Sequence, residues 1–336
     1  MKKVLFVLKK RSVYSENTYT TVNSGLFNSA TFVNNMLVGK GINSKLVQVN
    51  DNNDIDREVH TYKPDIVIIE ALWVVPGKFE VLTKLHPKVD WVIRLHSELP
   101  FLANEGIAME WLKEYVKYPN VKIGVNSEYM ISALEPLLGK EILYMPNYYP
   151  SIKVSPSPSG NRKEINIGLF GAIRPMKNSL TQAIAAINYA NEQNLVLNLH
   201  INTTRLEQKG ENILKNVRAL FHESKHNLVE HSWLDHKEFL ELVSTMDLCL
   251  QVSLSETYNI VAADGVTAGV PVVVSEEIPF ISSVSVVNNT KDVTEIISKI
   301  KSSLRYKSYV TFINKINLNA NSSKASKIWT KLIRSW

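Results

Sequence analysis

LSETYNIVAADGVTAGVPVVVS, residues 254–275, decides how the rest of the chain is read. It follows a strand-like apolar run over 248–252. Glu256 stands in the turn after that run, and Asp264 lies eight positions on, inside a helix-like segment closed by Gly269 and Pro271. Gly and Pro end a helix for different reasons, one by entering left-handed backbone and the other by lacking a donor. The apolar PVVVS that follows reads as a buried parallel strand. A helix beginning near Thr257 would offer unpaired backbone N–H groups and the positive end of its dipole to a diphosphate. Glu256 precedes that helix start and Asp264 sits two turns along it, so the two acids would accept hydrogen bonds from hydroxyls at opposite ends of one ligand. Thr257, Tyr258 and Asn259 complete the turn between them.

This arrangement resembles the E-x7-E signature of retaining GT-B glycosyltransferases of the family 4 type, whose usual form is close to E-x-F-G-x4-E-A-x-A-x-G-x-P-V-V. Glu256, Ala268, Gly269, Pro271, Val272 and Val273 match it. Three positions depart: Asn259 stands where Gly is usual, Asp264 replaces the second Glu, and Gly265 follows where Ala is common. The resemblance implies an α/β fold of two Rossmann-like doubly wound domains facing across a cleft, with a C-terminal helix crossing back. It also implies a nucleotide-diphosphate sugar as co-substrate, Glu256 on its sugar, Asp264 on its ribose, and no cofactor or metal.

The remaining sequence fits two domains. A chain of 336 residues with 45% hydrophobic content exceeds a typical single core. Short apolar blocks alternate with polar helical stretches, which is the pattern of parallel strands joined by helical crossovers. In the first half strands are expected at 3–8, 45–49, 65–71, 90–96, 121–126 and 142–146. The Pro- and Ser-rich stretch 151–163 reads as a linker. In the second half a strand is expected at 165–171, then helix 179–193, strand 195–201, helix 209–225, strand 228–233, helix 236–245 and strand 248–253. Expected boundaries are therefore an N-terminal acceptor-side domain over 1–150, a nucleotide-sugar domain over 164–305, and basic C-terminal helices over 306–336 packing back on the first domain.

GAIRPMKN, residues 171–178, lies between the first strand and first helix of the second half. The family commonly places a Gly, an Arg and a Lys in this order, so Gly171, Arg174 and Lys177 are candidates for the donor diphosphate. Cations fixed beside a departing phosphate stabilise the transition state more than the ground state. In the first half, His96 closes the run WVIRLH. The resemblance implies that it approaches the donor sugar, where it would touch a hydroxyl or move the acceptor's proton; a satisfied structural histidine is the alternative. Gly25 resembles the glycine leading into a helix beneath the phosphates. Ser127 and Met145-Pro146-Asn147 match a family pattern of structural type. Glu70, at another strand end, reads either as an acceptor contact or as a buried paired acid.

Net charge is +6, unevenly placed: residues 298–336 hold nine Lys and Arg and no acid. Such a tail suits anionic lipid or nucleic acid, or a solvated helix packed by Ile328, Trp329, Leu332 and Ile333. After the first strand, Lys9, Lys10 and Arg11 stand beside Tyr14 and Tyr19, a mixture able to hold a phosphate backbone and stack a base. With a general likeness to glycosyltransferases of tailed phages, this suggests hydroxymethylated bases in duplex DNA as the acceptor. A cell-surface glycan or lipid-linked acceptor, with the tail on a membrane, is the competing reading. A non-catalytic nucleic-acid-binding protein on the same scaffold is the third.

Several classes are disfavoured. The N-terminal apolar core is only five residues long and reads as a first strand, not a signal peptide. No uncharged apolar run reaches 18 residues. The single cysteine, Cys249, fits a reducing compartment, so a cytoplasmic location is expected. His222 and His226 satisfy the H-E-x-x-H zinc pattern, but in a polar setting foreign to a zinc helix. Asp54 and Asp56 imitate a D-x-D metal motif without the buried strand that normally precedes one.

Overall fold

The computed structural model describes residues 2–10, 12–15, 18–21, 25–155, 157 and 163–336, with only the backbone for 12–15 and 18–21. The chain divides into two compact units, Met1–Pro150 with Ser322–Trp336, and Ser151–Asn321.

In the first unit the chain forms β1 (Lys3–Lys9), a short antiparallel ribbon of β2 (Ser12–Ser15) and β3 (Thr18–Thr21), then β4 (Asn43–Val49), β5 (Ile66–Glu70), β6 (Asp90–Leu95), β7 (Val121–Val125) and β8 (Ile142–Tyr144). Six of these make one parallel sheet in the order β4-β1-β5-β6-β7-β8. Residues along β1 alternate between two cores. Leu5 and Val7 join Ile69, Phe79 and Trp91 on one side, while Val4 and Phe6 join Val33, Ile68 and Met145 on the other. Both faces are apolar because crossover helices cover both.

The second unit holds β9 (Glu164–Leu169), β10 (Val196–Asn202), β11 (Asn227–His231), β12 (Leu248–Gln251), β13 (Val272–Ser275) and β14 (Val286–Val287). They form a parallel sheet in the order β11-β10-β9-β12-β13-β14. Counted from its own first strand this is 3-2-1-4-5-6, the doubly wound order whose direction reverses between β9 and β12. Ligands of such sheets gather beyond the carboxyl ends of the strands at that reversal. Both units are thus the Rossmann-like α/β layers that the alternation of apolar blocks implies.

Three local readings need correction. The signature helix starts at Ile260, three residues beyond Thr257, because Asn259 adopts φ +63° and caps it. The helix expected over 209–225 stops at Phe221; His222 is extended and Glu223 turns left-handed. The C-terminal segment is one helix, Lys307–Ser335, and only 322–336 of it groups with the first unit. There its apolar side is interior: Trp329 and Ile333 are buried, the Trp329 ring lies 5.9 Å from Phe6, and its indole N–H donates to the Pro146 carbonyl at 2.7 Å. Among the described residues no helix is long and apolar enough to cross a membrane.

Candidate functional site

Glu256 and Lys177 meet where the second sheet reverses, their side chains in a direct ion pair. Two loops bring them together. The first leaves β9 through Gly171, whose φ of +115° lies in the region reserved for glycine. Its N–H donates to Asn202 Oδ1 at 3.1 Å. Arg174 then precedes a single 3-10 turn, Pro175–Lys177, which delivers Lys177 to the start of the Ser179–Glu192 helix. The second loop follows β12. Gln182 ties the two: its amide donates to the Lys177 carbonyl at 2.7 Å and its oxygen accepts from Val252 N–H at 2.7 Å. A small cavity lies here, walled mostly by apolar side chains such as Leu169, Phe170, Ile173 and Ile201, with Lys177, Ser179 and Gln182 on its polar side at the amino end of the Ser179–Glu192 helix.

Asn259 takes up the work of the glycine expected at its position. It reaches left-handed backbone, accepts from Ala262 N–H at 2.9 Å as the helix cap, and donates from Nδ2 to Gln251 Oε1 at 2.9 Å and to Glu256 Oε2 at 3.2 Å. The Thr257 N–H donates to the other Glu256 oxygen at 3.3 Å. Burial pushes the Glu256 carboxyl up, but Lys177, Arg174 and the Thr257 N–H outweigh it and hold it below the ordinary carboxylate range. A carboxylate so held accepts hydrogen bonds and does not donate.

Arg174 is anchored by Glu207, at 3.1 Å, and the same carboxylate binds Arg205 through Nε at 2.8 Å and Nη2 at 2.6 Å. Arg205 also lies 5.3 Å from the Trp233 ring. Neither Arg205 nor Glu207 is prominent in the sequence, since they sit in an irregular loop after β10. The loop is pinned by Ile173, whose N–H and carbonyl bond the backbone of Arg205 and Glu207, both at 3.0 Å.

Asp264 is 2% exposed, and His236 Nε2 lies 2.8 Å from its Oδ1. His236 opens the helix His236–Ser244 behind a capping box formed by Asp235 and Glu238. The Asp264–His236 pair is a second feature that sequence reasoning missed. Gly265 departs from the usual Ala for a packing reason: a Cβ there would stand 2.6 Å from Val272 Cγ2. Tyr258 is buried, its ring 5.2 Å from Phe280. Burial, and then Asp264, push the Cys249 thiol up to about 12, so it stays protonated and unreactive.

In the first unit Glu70 and Arg94 are register partners on β5 and β6, both fully buried. All five guanidinium hydrogens of Arg94 have acceptors. Nη1 contacts both Glu70 oxygens at 3.1 and 3.2 Å, Nε the Met145 carbonyl at 3.0 Å, and Nη2 the Pro146 carbonyl at 3.1 Å and Asn147 Oδ1 at 2.8 Å. Asn147 also accepts from Ser29 at 2.9 Å, and the guanidinium lies 5.1 Å from the Trp329 ring. Glu70 holds His96 through Nε2. The expectation that Glu70 contacts an acceptor gives way to its burial: it is the paired acid that fixes Arg94 and His96. Burial, and then Arg94, press the His96 imidazole below its ordinary value despite Glu70, leaving it neutral at pH 7. Gly25 starts the Gly25–Gly39 helix, with open space where a Cβ would stand.

Of the cationic loop, Lys9 and Lys10 are exposed. Arg11 and the side chains of Tyr14 and Tyr19 lie outside the described residues. His222 and His226 do not share a helix face. His226 is buried, with Nδ1 accepting from Leu197 N–H at 3.0 Å and Nε2 3.1 Å from Asn191 Oδ1, while the His222 side chain is exposed. Asp54 and Asp56 open a helix, bound to Arg57 and His86 respectively.

No protein-family model and no curated protein matches the sequence. Solved structures do match the fold of the chain. Anabaena HepE, in complex with UDP and glucose, is 13% identical with a TM-score of 0.66, covering 100% of this chain and 99% of its own. Sucrose-phosphate synthase from Thermosynechococcus elongatus is 12% identical with a TM-score of 0.68, covering 100% of both chains. A UDP-forming α,α-trehalose-phosphate synthase from Burkholderia xenovorans is 11% identical with a TM-score of 0.66, covering 99% of both. The likeness is one of fold: two Rossmann-like domains of the GT-B type.

Proposed function

We propose that the chain is a glycosyltransferase that moves a sugar from a nucleotide-diphosphate donor, with UDP, the nucleotide present in the HepE complex, as its nucleotide, to an acceptor hydroxyl. The observation that carries this reading is the convergence of Lys177, Arg174 and Glu256 at the reversal of the second sheet, on a fold shared with proteins whose structures hold UDP. In the resting protein each cation rests on a carboxylate, Lys177 on Glu256 and Arg174 on Glu207. A diphosphate arriving at the Ser179–Glu192 amino end takes both cations. Glu256, still held by Asn259 and the Thr257 N–H, is then available to accept from a sugar hydroxyl. As the sugar–phosphate bond breaks, its electron pair passes to the phosphate oxygen, and Arg174 and Lys177 meet the growing charge. Those cations supply what a divalent ion would, so no metal is needed. Asp264, with His236, is assigned to the ribose.

Retention of configuration, by same-face attack aided by the departing phosphate, follows from the family resemblance. His96, neutral and oriented by Glu70, serves the acceptor hydroxyl. The acceptor proposed is a hydroxymethylated base in duplex DNA, a reading that rests on the basic tail and the loop after β1. A cell-surface glycan or lipid-linked acceptor is the second reading, favoured by the exposed Tyr309 and Phe312 of the C-terminal helix.

The test is to supply a panel of sugar nucleotides and measure release of free nucleoside diphosphate, first alone and then with hydroxymethylated duplex or lipid-linked sugar. Turnover with one donor is expected. Absence of both turnover and thermal stabilisation by every donor would leave only the non-catalytic nucleic-acid-binding alternative.

A further inference from the structure

The helix Lys307–Ser335 is apolar on two sides where it belongs to the second unit. Val310, Asn314 and Leu318 form its buried side. Away from them stand Tyr309, Phe312 and Ile316, which are 56%, 66% and 45% exposed. Their i, i+3, i+7 spacing places them in one stripe within about 60° of the helix circumference. Tyr306, 49% exposed, stands at the junction that precedes the helix. No other helix among the described residues carries three large apolar side chains this exposed at that spacing. Exposed Arg305 and Lys315 flank the stripe, and no acid occurs between 298 and 336.

This combination selects its occupant by charge. In a symmetric contact with a second copy the stripe would meet itself, setting Arg305 and Lys315 against their own like charges. Duplex DNA would satisfy the cations and leave Phe312 and Ile316 unused. An anionic bilayer surface satisfies both, because its interfacial zone accepts aromatic and aliphatic side chains while its phosphates pair with Lys and Arg.

We propose that this stripe seats the protein on an anionic lipid surface, with Tyr309, Phe312 and Ile316 entering the interface and Arg305 and Lys315 meeting lipid phosphates. The site is distinct from the far end of the same helix, where Trp329 and Ile333 are interior and free to seat nothing.

The experiment is co-sedimentation of the full chain with phosphatidylcholine vesicles, with and without phosphatidylglycerol. Binding should require the anionic lipid, and the Phe312→Ser/Ile316→Ser double variant should lose it by about tenfold or more. That variant should keep the wild-type thermal midpoint. As an independent readout, Phe312→Trp should show a blue shift in emission when anionic vesicles are added. Undiminished binding by the double variant, or an unshifted Phe312→Trp spectrum, overturns the proposal. So does self-association that the double variant abolishes, or duplex-DNA binding that persists without vesicle binding. None of these readouts needs sugar transfer, so the lipid proposal and the glycosyltransferase reading fail separately.

Discussion

Two ion pairs organise this molecule, and they differ in what they leave open. Glu70–Arg94 in the first unit is wholly buried, and all five Arg94 hydrogens are spent on acceptors of that unit. Lys177–Glu256 in the second unit is 16% and 12% exposed, beside a cavity and a helix amino end. A saturated pair cannot change partners without leaving buried charge behind, so it serves as scaffold. A pair at a cavity edge can exchange one carboxylate for a phosphate at little cost. The comparison separates positioning from binding among residues that look equally charged in the sequence.

Removing one partner of the saturated pair should have the largest effect. Arg94→Met strands Glu70 in the interior and frees the acceptors of Met145, Pro146 and Asn147, so we expect a loss of about 3–5 kcal/mol of unfolding free energy. Urea unfolding measures it. A loss under about 1 kcal/mol would mean that water reaches the pair and that the two regions are not different in kind.

Lys177→Ala should invert that pattern. Unfolding free energy should change by less than about 2 kcal/mol. Donor turnover should fall by about 10²–10³-fold, the usual cost of deleting one preorganised charge-stabilising contact. A variant that turns over donor normally would remove Lys177 from the leaving-group site.

How much of this contrast could be read in advance depends on distance along the chain. The doubly wound layers were legible because apolar blocks and polar helices alternate locally. Glu256, Arg174 and Lys177 were legible because the motif carries them within short loops. Arg94 and Glu70 carry a signal of another kind. A lone cation inside WVIRLH and a lone acid ending IVIIE are each improbable unless they pair, and parallel register sets them side by side. Glu207 and Arg205 carry none, and of His236 only its place at a helix start behind the Asp235/Glu238 capping box was legible. They reach Arg174 and Asp264 from loops and helix starts 28 to 33 residues away, where no periodicity fixes position. Asn259 and Gly265 look like departures from a pattern, and only backbone dihedral and packing show why each is tolerated.

The Asp264–His236 pair lies between the two extremes, its acid buried and its imidazole 19% exposed. If His236 positions the shortened carboxyl for the ribose, His236→Ala should raise the donor KM by about tenfold, the worth of one hydrogen bond to a charged group, with kcat within about twofold. Equal losses in kcat and kcat/KM would instead assign the pair to the transition state. An unchanged KM would make it a packing contact.

The mildest effect belongs to a pair with no counter-charge at all. His200 and His231 stack at 5.1 Å with an interplanar angle of 12°, and their Nδ1 and Nε2 lie 2.9 Å apart. Burial, and then His231, press His200 down to about 4. Between that value and about 6.5 the unfolded chain holds the proton that the folded chain excludes, so stability rises with pH across this window and is lost on acidification through it. Burial likewise depresses His231 and His226, which act in the same direction. For His200 the slope is below about 1.4 kcal/mol per pH unit, reduced further because the ring is partly solvated. Urea unfolding at about pH 7 and about pH 5 should show wild-type protein weakening more than His200→Leu. Equal weakening would mean that the stacked imidazoles accept protons freely. In that case the second unit would tolerate charge away from its cation cluster, and the contrast with the saturated pair of the first unit would widen.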